Sequence, residues 1–362
     1  PSGTALVLDR PWEGAFAGYV TVFRDGGRFR MYYRGIPTSG ADGSEAEVTC
    51  TAESADGIIW EKPELGLYDV RGSKKNNIVL AGMKPFSHNF APFIDARAGV
   101  PAAERYKALA GTAESGLTAF VSPDGYRWRK LREAPVLRDG AFDSQNVGFW
   151  SEHENCYVCY FRTWTGGGFN GFRTVSRSTS KDFLTWSKPE PMDFGGTPSE
   201  HLYTNQTTPH PGAPHLYVAL PMRFMPGRKV LTPDQARALG VGPGYAGDCA
   251  ECVFMTSRGG ASYKRTFMEG FIRPGSDPGN WASRAGMTAC GIAVTGPAEF
   301  SIYKQAHYAQ PSAHIIRHTL RRDGFASVNA PYAGGELITR PLAHGGKRLV
   351  LNVSTSAAGS VR

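Results

Sequence analysis

Three stretches decide how this chain is read: Glu53-Ser-Ala-Asp-Gly-Ile-Ile-Trp60, Val121-Ser-Pro-Asp-Gly-Tyr-Arg-Trp128 and Thr179-Ser-Lys-Asp-Phe-Leu-Thr-Trp186. Each places Asp-Gly, or Lys-Asp-Phe in the third, where a tight turn between two strands is needed, with Gly free to take positive φ. Each then sets a Trp that can pack between neighbouring sheets. Two weaker relatives follow, Thr256-Ser-Arg-Gly-Gly-Ala-Ser-Tyr263 and Leu320-Arg-Arg-Asp-Gly-Phe325. Five copies, each closing a unit of about four strands that cannot bury its own faces, predict radial stacking.

Strand-like segments lie ahead of the phrases, as in Tyr19-Val-Thr-Val-Phe23, Arg28-Phe-Arg-Met-Tyr-Tyr33 and Tyr157-Val-Cys-Tyr-Phe161. The spacing predicts an all-β chain: a five-bladed β-propeller over residues 1–325, with blades near 13–62, 88–131, 143–188, 200–268 and 288–325. Thr232-Pro-Asp-Gln-Ala-Arg-Ala-Leu-Gly240 reads as the one helix, with Thr to cap, Pro in the first turn and Gly to stop it. Gly334–Pro341 and Lys347–Val353 read as strands of a C-terminal β extension over residues 326–362, the edge of a further sheet or the start of a sandwich.

Composition agrees. Of 362 residues, 44 are Gly and 25 Pro, aromatics are 12% and charged residues only 20%, the profile of many short strands and turns. With 41% apolar side chains the chain can bury its own core. No apolar run approaches the roughly 20 residues of a membrane helix, so no membrane association is expected. The formal charge of +8 is scattered, without the basic run of a nucleic-acid partner. Residues 1 onward show no basic-then-apolar leader; localisation is not legible, and the expectation leans to a secreted or periplasmic protein.

Six cysteines include two C-x-x-C pairs, Cys156/Cys159 and Cys249/Cys252. On a strand, positions three apart point to opposite faces, which argues against a zinc knuckle and for buried free thiols. No metal and no cofactor is called for, although Asp, Asn and Gln at the blade entrances could hold a structural Ca²⁺ as readily as a sugar.

In a propeller, residues on or just before the first strand of each blade converge on the axis. Those entrances read Pro11-Trp-Glu-Gly14, His88-Asn-Phe-Ala-Pro-Phe-Ile-Asp95, Phe142-Asp-Ser-Gln-Asn146, Glu200-His-Leu-Tyr-Thr-Asn205 and Gly296-Pro-Ala-Glu-Phe300. Every one carries a carboxylate. A pair of carboxyl groups is the minimum for glycoside hydrolysis, and crowding raises the pKa of one so that it can act as the acid. An acidic axial mouth is therefore expected. Sugar-binding groups would be Trp12 and Trp164 by stacking, and His88, Asn89, Asn146, His201 and Asn205 by hydrogen bonds. Arg162 and Arg223, just past inner strands, would hold an anionic group.

The repeat count, the Ser-x-Asp-Gly-x-x-Trp phrases and the acidic entrances resemble the five-bladed propeller glycosidases of the invertase and arabinanase type, over residues 11–325. Phe142-Asp-Ser-Gln-Asn146, His201-Leu-Tyr-Thr-Asn205 and Leu320-Arg-Arg-Asp-Gly-Phe325 with the Gly-Gly-Glu-Leu-Ile-Thr tail are similar to bacterial glycosidase-like proteins. The resemblance implies three acids at the first, third and fourth blade entrances, matched here by Glu13, Asp143 and Glu200, with Asp143 and Glu200 in one pocket. It implies a carbohydrate substrate. Glu13 departs from the family's Asp, with Asp9 as a substitute; Asp95 and Glu299 are unassigned entrance acids, and Glu251 is a further candidate.

Two other functions fit the same residues: a non-catalytic carbohydrate-binding propeller, and a polysaccharide lyase using His201, Tyr203 or His307 as base with Arg against the uronate. Acids paired with Arg or Lys would favour a scaffold. A sialidase fits less well, having six blades and an arginine triad.

Overall fold

A computed structural model describes residues 1–362. The chain is all-β, 35% strand and 4% helix, and every strand pair within its sheets is antiparallel. Three four-stranded sheets follow one another in chain order. The first holds Gly18–Asp25, Arg28–Gly35, Val48–Ser54 and Ile78–Leu80; the second Ala91–Ile94, Tyr106–Thr112, Gly116–Ser122 and Arg129–Lys130; the third Val147–Ser151, Cys156–Trp164, Arg173–Ser180 and Glu190–Pro191.

The next region forms two three-stranded sheets. One joins His201–Leu202, Met222–Met225 and Cys249–Cys252, and the other Thr208–His210, Ala213–Ala219 and Met255–Ser257. The last sheet holds Ala293–Gly296, Glu299–Ala306 and His314–Arg321, and its outer strand is the N-terminal Thr4–Val7.

The repeated phrase folds as one device three times. Ser54 Oγ accepts the Gly57 N–H at 2.8 Å, and Asp56 Oδ1 accepts the N–H groups of Ile58 and Ile59 at 2.7 and 3.0 Å. Ser122 and Asp124 repeat this toward Gly125, Tyr126 and Arg127, and Ser180 and Asp182 toward Phe183, Leu184 and Thr185. The residue after Asp takes positive φ each time: Gly57 at 74°, Gly125 at 78°, and Phe183, a non-glycine, at 68°. These short side chains satisfy turn N–H groups that no sheet partner reaches.

The phrase also locks neighbouring sheets together. Tyr32, from the first sheet, donates to the Gly125 carbonyl at 3.0 Å, and Tyr303, from the last sheet, donates to the Gly57 carbonyl at 2.5 Å. Trp128 meets Tyr32 edge-on and Trp60 meets Tyr303 edge-on, with ring centroids 6.4 and 5.4 Å apart. The last sheet therefore packs on the first, as the first packs on the second.

The expected helix is present at Pro233–Ala238. Thr232 Oγ1 accepts the Gln235 N–H at 3.2 Å while Gln235 Oε1 accepts the Thr232 N–H at 2.9 Å, a reciprocal cap. All six cysteines are buried free thiols, with Cys156/Cys159 and Cys249/Cys252 each within one strand.

The C-terminal β extension is a correction. No strand follows Arg321, and Leu337, Ile338, Leu349, Val350, Leu351 and Val353 are exposed. The edge such strands would join, the outer side of His314–Arg321, is already occupied by Thr4–Val7; without an edge, the β pattern has no backbone partner.

Candidate functional site

In these antiparallel sheets the turn between second and third strands and the connection between sheets lie at the same end. Tyr19, Arg34, Asp143, Arg162, Arg173, Tyr203, Arg284 and Tyr308 all come from that end. Tyr19 opens its strand with φ at 50°, and its hydroxyl donates to the Asp143 carbonyl at 3.2 Å. Arg162 Nε donates to Asp143 Oδ1 at 2.7 Å, and its guanidinium lies 4.5 Å from the centre of the Tyr203 ring. Arg284, with φ at 62°, lies 5.3 Å from the same ring and 5.2 and 5.8 Å from Tyr245 and Tyr308. Left-handed φ at Tyr19 and Arg284 costs energy that the fold must supply, a feature that concentrates at functional sites.

Arg173 lies 5.5 Å from the Tyr203 ring and stacks on Trp164 at 4.5 Å. Neither Arg173 nor Arg284 has a carboxylate within ion-pair distance, and the Nε of each is buried without an acceptor. Burial would push the Tyr203 phenol up, yet Arg284 and Arg162 bring it below its ordinary value; burial and Tyr203 push the Tyr19 phenol the other way. His201 Nδ1 accepts the Arg173 backbone N–H at 3.2 Å, so its ring proton sits on Nε2. Burial and the Arg173 charge hold that ring below the usual histidine value. The ensemble offers two uncommitted cations, an ionisation-prone phenol and an imidazole N–H.

A second group borders it. Arg34 bonds Asp42 at 3.1 Å, Glu47 at 3.4 Å and His88 Nδ1 at 3.1 Å, and sits 4.8 Å from the Tyr19 ring. Asp42, Glu47 and His88 lie close enough to share an ion, but the Arg34 guanidinium already supplies positive charge among them.

The acids do not assemble as the sequence suggested. Glu13 is fully buried and bonded to Lys62 at 2.7 Å, Tyr33 at 2.6 Å and the Arg10 N–H at 2.9 Å, while Lys62 also holds Asp9. Asp95 faces Lys107 at 3.3 Å and Tyr157 at 2.6 Å. Glu299 pairs with Arg317, and Glu200 with Arg223 at 2.6 Å and with Arg265. Arg223 also bonds Glu251 at 3.1 Å. Each of these acids, and Asp143 through Arg162, has a cation, the pairing expected of a scaffold, so no acidic mouth forms; Asp95, just past the end of a first strand, and Glu299, opening a second strand, lie moreover at the opposite end of the sheets from Asp143 and Glu200.

Asp143 and Glu200 are not brought onto common contacts. Along a strand alternate side chains face opposite ways: His201 and Tyr203 turn to the arginines, while Glu200 and Leu202 line a separate cavity of about 850 Å³ with Trp164, Phe172 and Arg265. Asn89 spends its amide on the backbone of Gly111, Phe142 and Ser144, and Asn205 on Tyr160 and Thr207. Asn146 bonds the Phe142 carbonyl at 3.3 Å, and Trp12 Nε1 bonds Asn77 at 2.9 Å. These four hold the frame. Sequence reading missed Tyr19, Arg34, Arg173 and Arg284; the recurrence of Arg near the end of second strands, Arg34, Arg162 and Arg223, was a usable signal for the first of the arginines.

No family model and no curated protein sequence matches the chain. Solved structures do match. One, a glycoside hydrolase, is 13% identical with a TM-score of 0.59, covering 91% of this chain and 93% of its own. An endo-1,4-β-xylanase from Bacteroides thetaiotaomicron is 10% identical with a TM-score of 0.53, covering 87% and 91%. A GH32 β-fructofuranosidase from Bombyx mori is 12% identical with a TM-score of 0.53, covering 88% of this chain and 62% of its own. At such identity the likeness shows the fold: the chain resembles glycoside hydrolases of propeller architecture.

Proposed function

We propose that this chain is a five-bladed propeller, over residues 1–325, that hydrolyses glycosidic bonds in a carboxylate-bearing oligosaccharide at the Tyr203 site. The blade count rests on reading the two three-stranded sheets as one blade broken in the middle: Ala213–Ala219 and Met222–Met225 are interrupted only by Leu220-Pro221, and Cys249–Cys252 and Met255–Ser257 only by Val253-Phe254. Proline cannot donate to a ladder, which accounts for the break.

The observation that carries the chemistry is the convergence on Tyr203 of two guanidinium groups, Arg173 and Arg284, that no protein carboxylate neutralises. Both residues are half-buried, and each buries an Nε with no acceptor; a half-desolvated charge without a counter-ion is costly, and a substrate carboxylate would relieve it. Of the three acids expected from sequence only Asp143 stands here, its side chain 38% exposed. Tyr203 would replace the second carboxylate as nucleophile, a known exception to the two-acid rule: its phenolate oxygen would bond the anomeric carbon while Asp143, in its acid form, gives a proton to the departing oxygen, and Asp143 would then take a proton from the water that displaces Tyr203 from that carbon. The test is product formation from paired neutral and uronate oligosaccharides: new reducing ends from the uronate substrates alone are expected, and cleavage restricted to neutral sugars would remove the reading.

A second reading, uronate β-elimination, is favoured by one observation, the placement of the Arg173 and Arg284 guanidinium groups 5.5 and 5.3 Å from the Tyr203 ring, where they favour its phenolate. Arginine would neutralise the carboxylate, and Tyr203 as phenolate would take the α-proton while the β carbon–oxygen bond breaks to leave a C=C bond and the departing oxygen takes a proton from water. An ultraviolet-absorbing unsaturated product in the same assay would select it over hydrolysis.

A further inference from the structure

The 850 Å³ cavity is lined by Trp164, Phe172, Glu200 and Leu202, which adjoin the residues of the Tyr203 site in sequence and in space. Arg173 stacks on Trp164 at 4.5 Å and reaches the Tyr203 ring, and His201 lies with its ring 5.0 Å from Phe172. We propose that this cavity is a second saccharide subsite, taking neutral sugar residues that continue from the anionic residue held at Tyr203; the proposal rests on the reading above for its substrate.

Three features support a sugar rather than an apolar ligand. The cavity falls within the ~300–1,000 Å³ that organic ligands occupy. Its walls carry flat aromatic faces, with Phe169 and Phe172 exposed by 57% and 41%. Its polar lining is built: Arg265, whose side chain is only 2% exposed, lies against Glu200 and retains Nε and a terminal nitrogen without an acceptor, and Trp164, which also lines the cavity, has an Nε1 that is likewise unpartnered. Aromatic faces with a few fixed hydrogen-bonding groups are what pyranose recognition demands. The charged lining residues are Asp139 and Glu200 against Lys188 and Arg265, which balance, so the cavity has no preference for a further anionic sugar. Glu200 thereby acquires a place in substrate binding instead of the acid role.

The experiment compares a dimer of one uronate and one neutral sugar with a hexamer in which the same uronate is followed by neutral sugars, by kinetics and by calorimetric binding, in the unaltered chain and in the Phe172→Ala and Phe169→Ala variants. Loss of one stacking face should raise KM for the hexamer by about tenfold with kcat unchanged, and leave the dimer unaffected. Equal effects on both lengths, or none, would overturn the subsite, as would a hexamer that binds no tighter than the dimer. If neither saccharide is cleaved but the hexamer still binds more tightly and loses that advantage in Phe172→Ala, the subsite stands and the enzymatic reading falls.

Discussion

The Arg284 guanidinium lies 5.3 Å from the ring centre of Tyr203 and has no carboxylate partner, although Arg284 adopts a left-handed backbone to reach that position. The strain at Arg284 is compensated by the packing of Tyr203, Tyr245 and Tyr308 around one cation. An arrangement that holds positive charge in place without neutralising it suits an anionic ligand.

Replacing Arg284 or Arg173 by Gln should therefore raise KM for a uronate substrate by about 10- to 100-fold, as expected for a half-buried charge-assisted contact of ~1.5–3 kcal/mol. Turnover at saturation should change far less. Steady-state kinetics on acid and methyl-ester forms of one oligosaccharide check this, since the ester should bind the unaltered protein and both variants alike.

Tyr203→Phe removes one hydroxyl and preserves the ring on which Arg162, Arg173 and Arg284 pack. The variant should lose several orders of magnitude in kcat with Tm nearly unchanged. Because the arginines bring the phenol below its ordinary value of 10.0, the alkaline rise of kcat/KM in the unaltered protein should come earlier than free tyrosine would give, and Arg284→Gln should move it back up. A profile indifferent to Arg284 would place the ionisation elsewhere.

Glu13 separates legible from illegible sequence. Its position at a blade entrance was readable from the repeat, as were Trp60, Trp128 and Trp186, because turns and sheet spacing are set by local residue pattern. Which cation would meet it was not: Lys62 lies at the far end of the blade sequence, and only the closed sheet brings it to 2.7 Å. Tyr203 and His201 were likewise visible as entrance residues, but Arg284 comes from an irregular segment with no period to read. The C-terminal strands failed for a related reason, since a β pattern shows propensity and not whether an edge is free. Thr4–Val7 had taken it.

The Glu13–Lys62 pair has its own outcome. With the Glu13 side chain fully buried and Lys62 9% exposed, removing one partner strands the other charge, which costs roughly 3–5 kcal/mol. Lys62→Met should lower Tm strongly, while the double change Lys62→Met with Glu13→Gln should recover part of the loss. If Glu13→Gln abolished activity at unchanged Tm, the carboxylate would be chemical and not structural.

The turn carboxylates give a pH prediction. Backbone N–H bonds from Thr185 and Leu184 hold Asp182 down at about 2, and those from Ile59 and Ile58 lower Asp56. A carboxyl whose folded value lies below its unfolded 3.8 contributes stability above the unfolded value and loses it as pH falls through the folded one. Thermal stability should thus fall between about pH 4 and about pH 2. Asp182 is largely exposed, so solvent screening keeps its share small, and Asp182→Ala should lower Tm at neutral pH by roughly 2–4 °C. Its main signature is a shallower acid limb in the variant.

The ring closure yields the last prediction. Thr4–Val7 pairs with His314–Ile316 and places Leu6 in the core with Val20, Val22 and Ile315, so the first strand joins the two ends of the folded region. Removing residues 1–8 would bare the edge of His314–Arg321 and expose the apolar side chains beneath Leu6 and Leu8, at about 1.5–3 kcal/mol for each buried Leu. Removing residues 326–362 takes away only exposed, strandless chain. The N-terminal deletion should therefore lower Tm by many degrees and favour association through the open edge, read by calorimetry and sedimentation. The C-terminal deletion should leave both measurements unchanged. If the two deletions had the reverse effects, closure by Thr4–Val7 would be wrong, and the outer strand of the last sheet would have to come from residues 326–362.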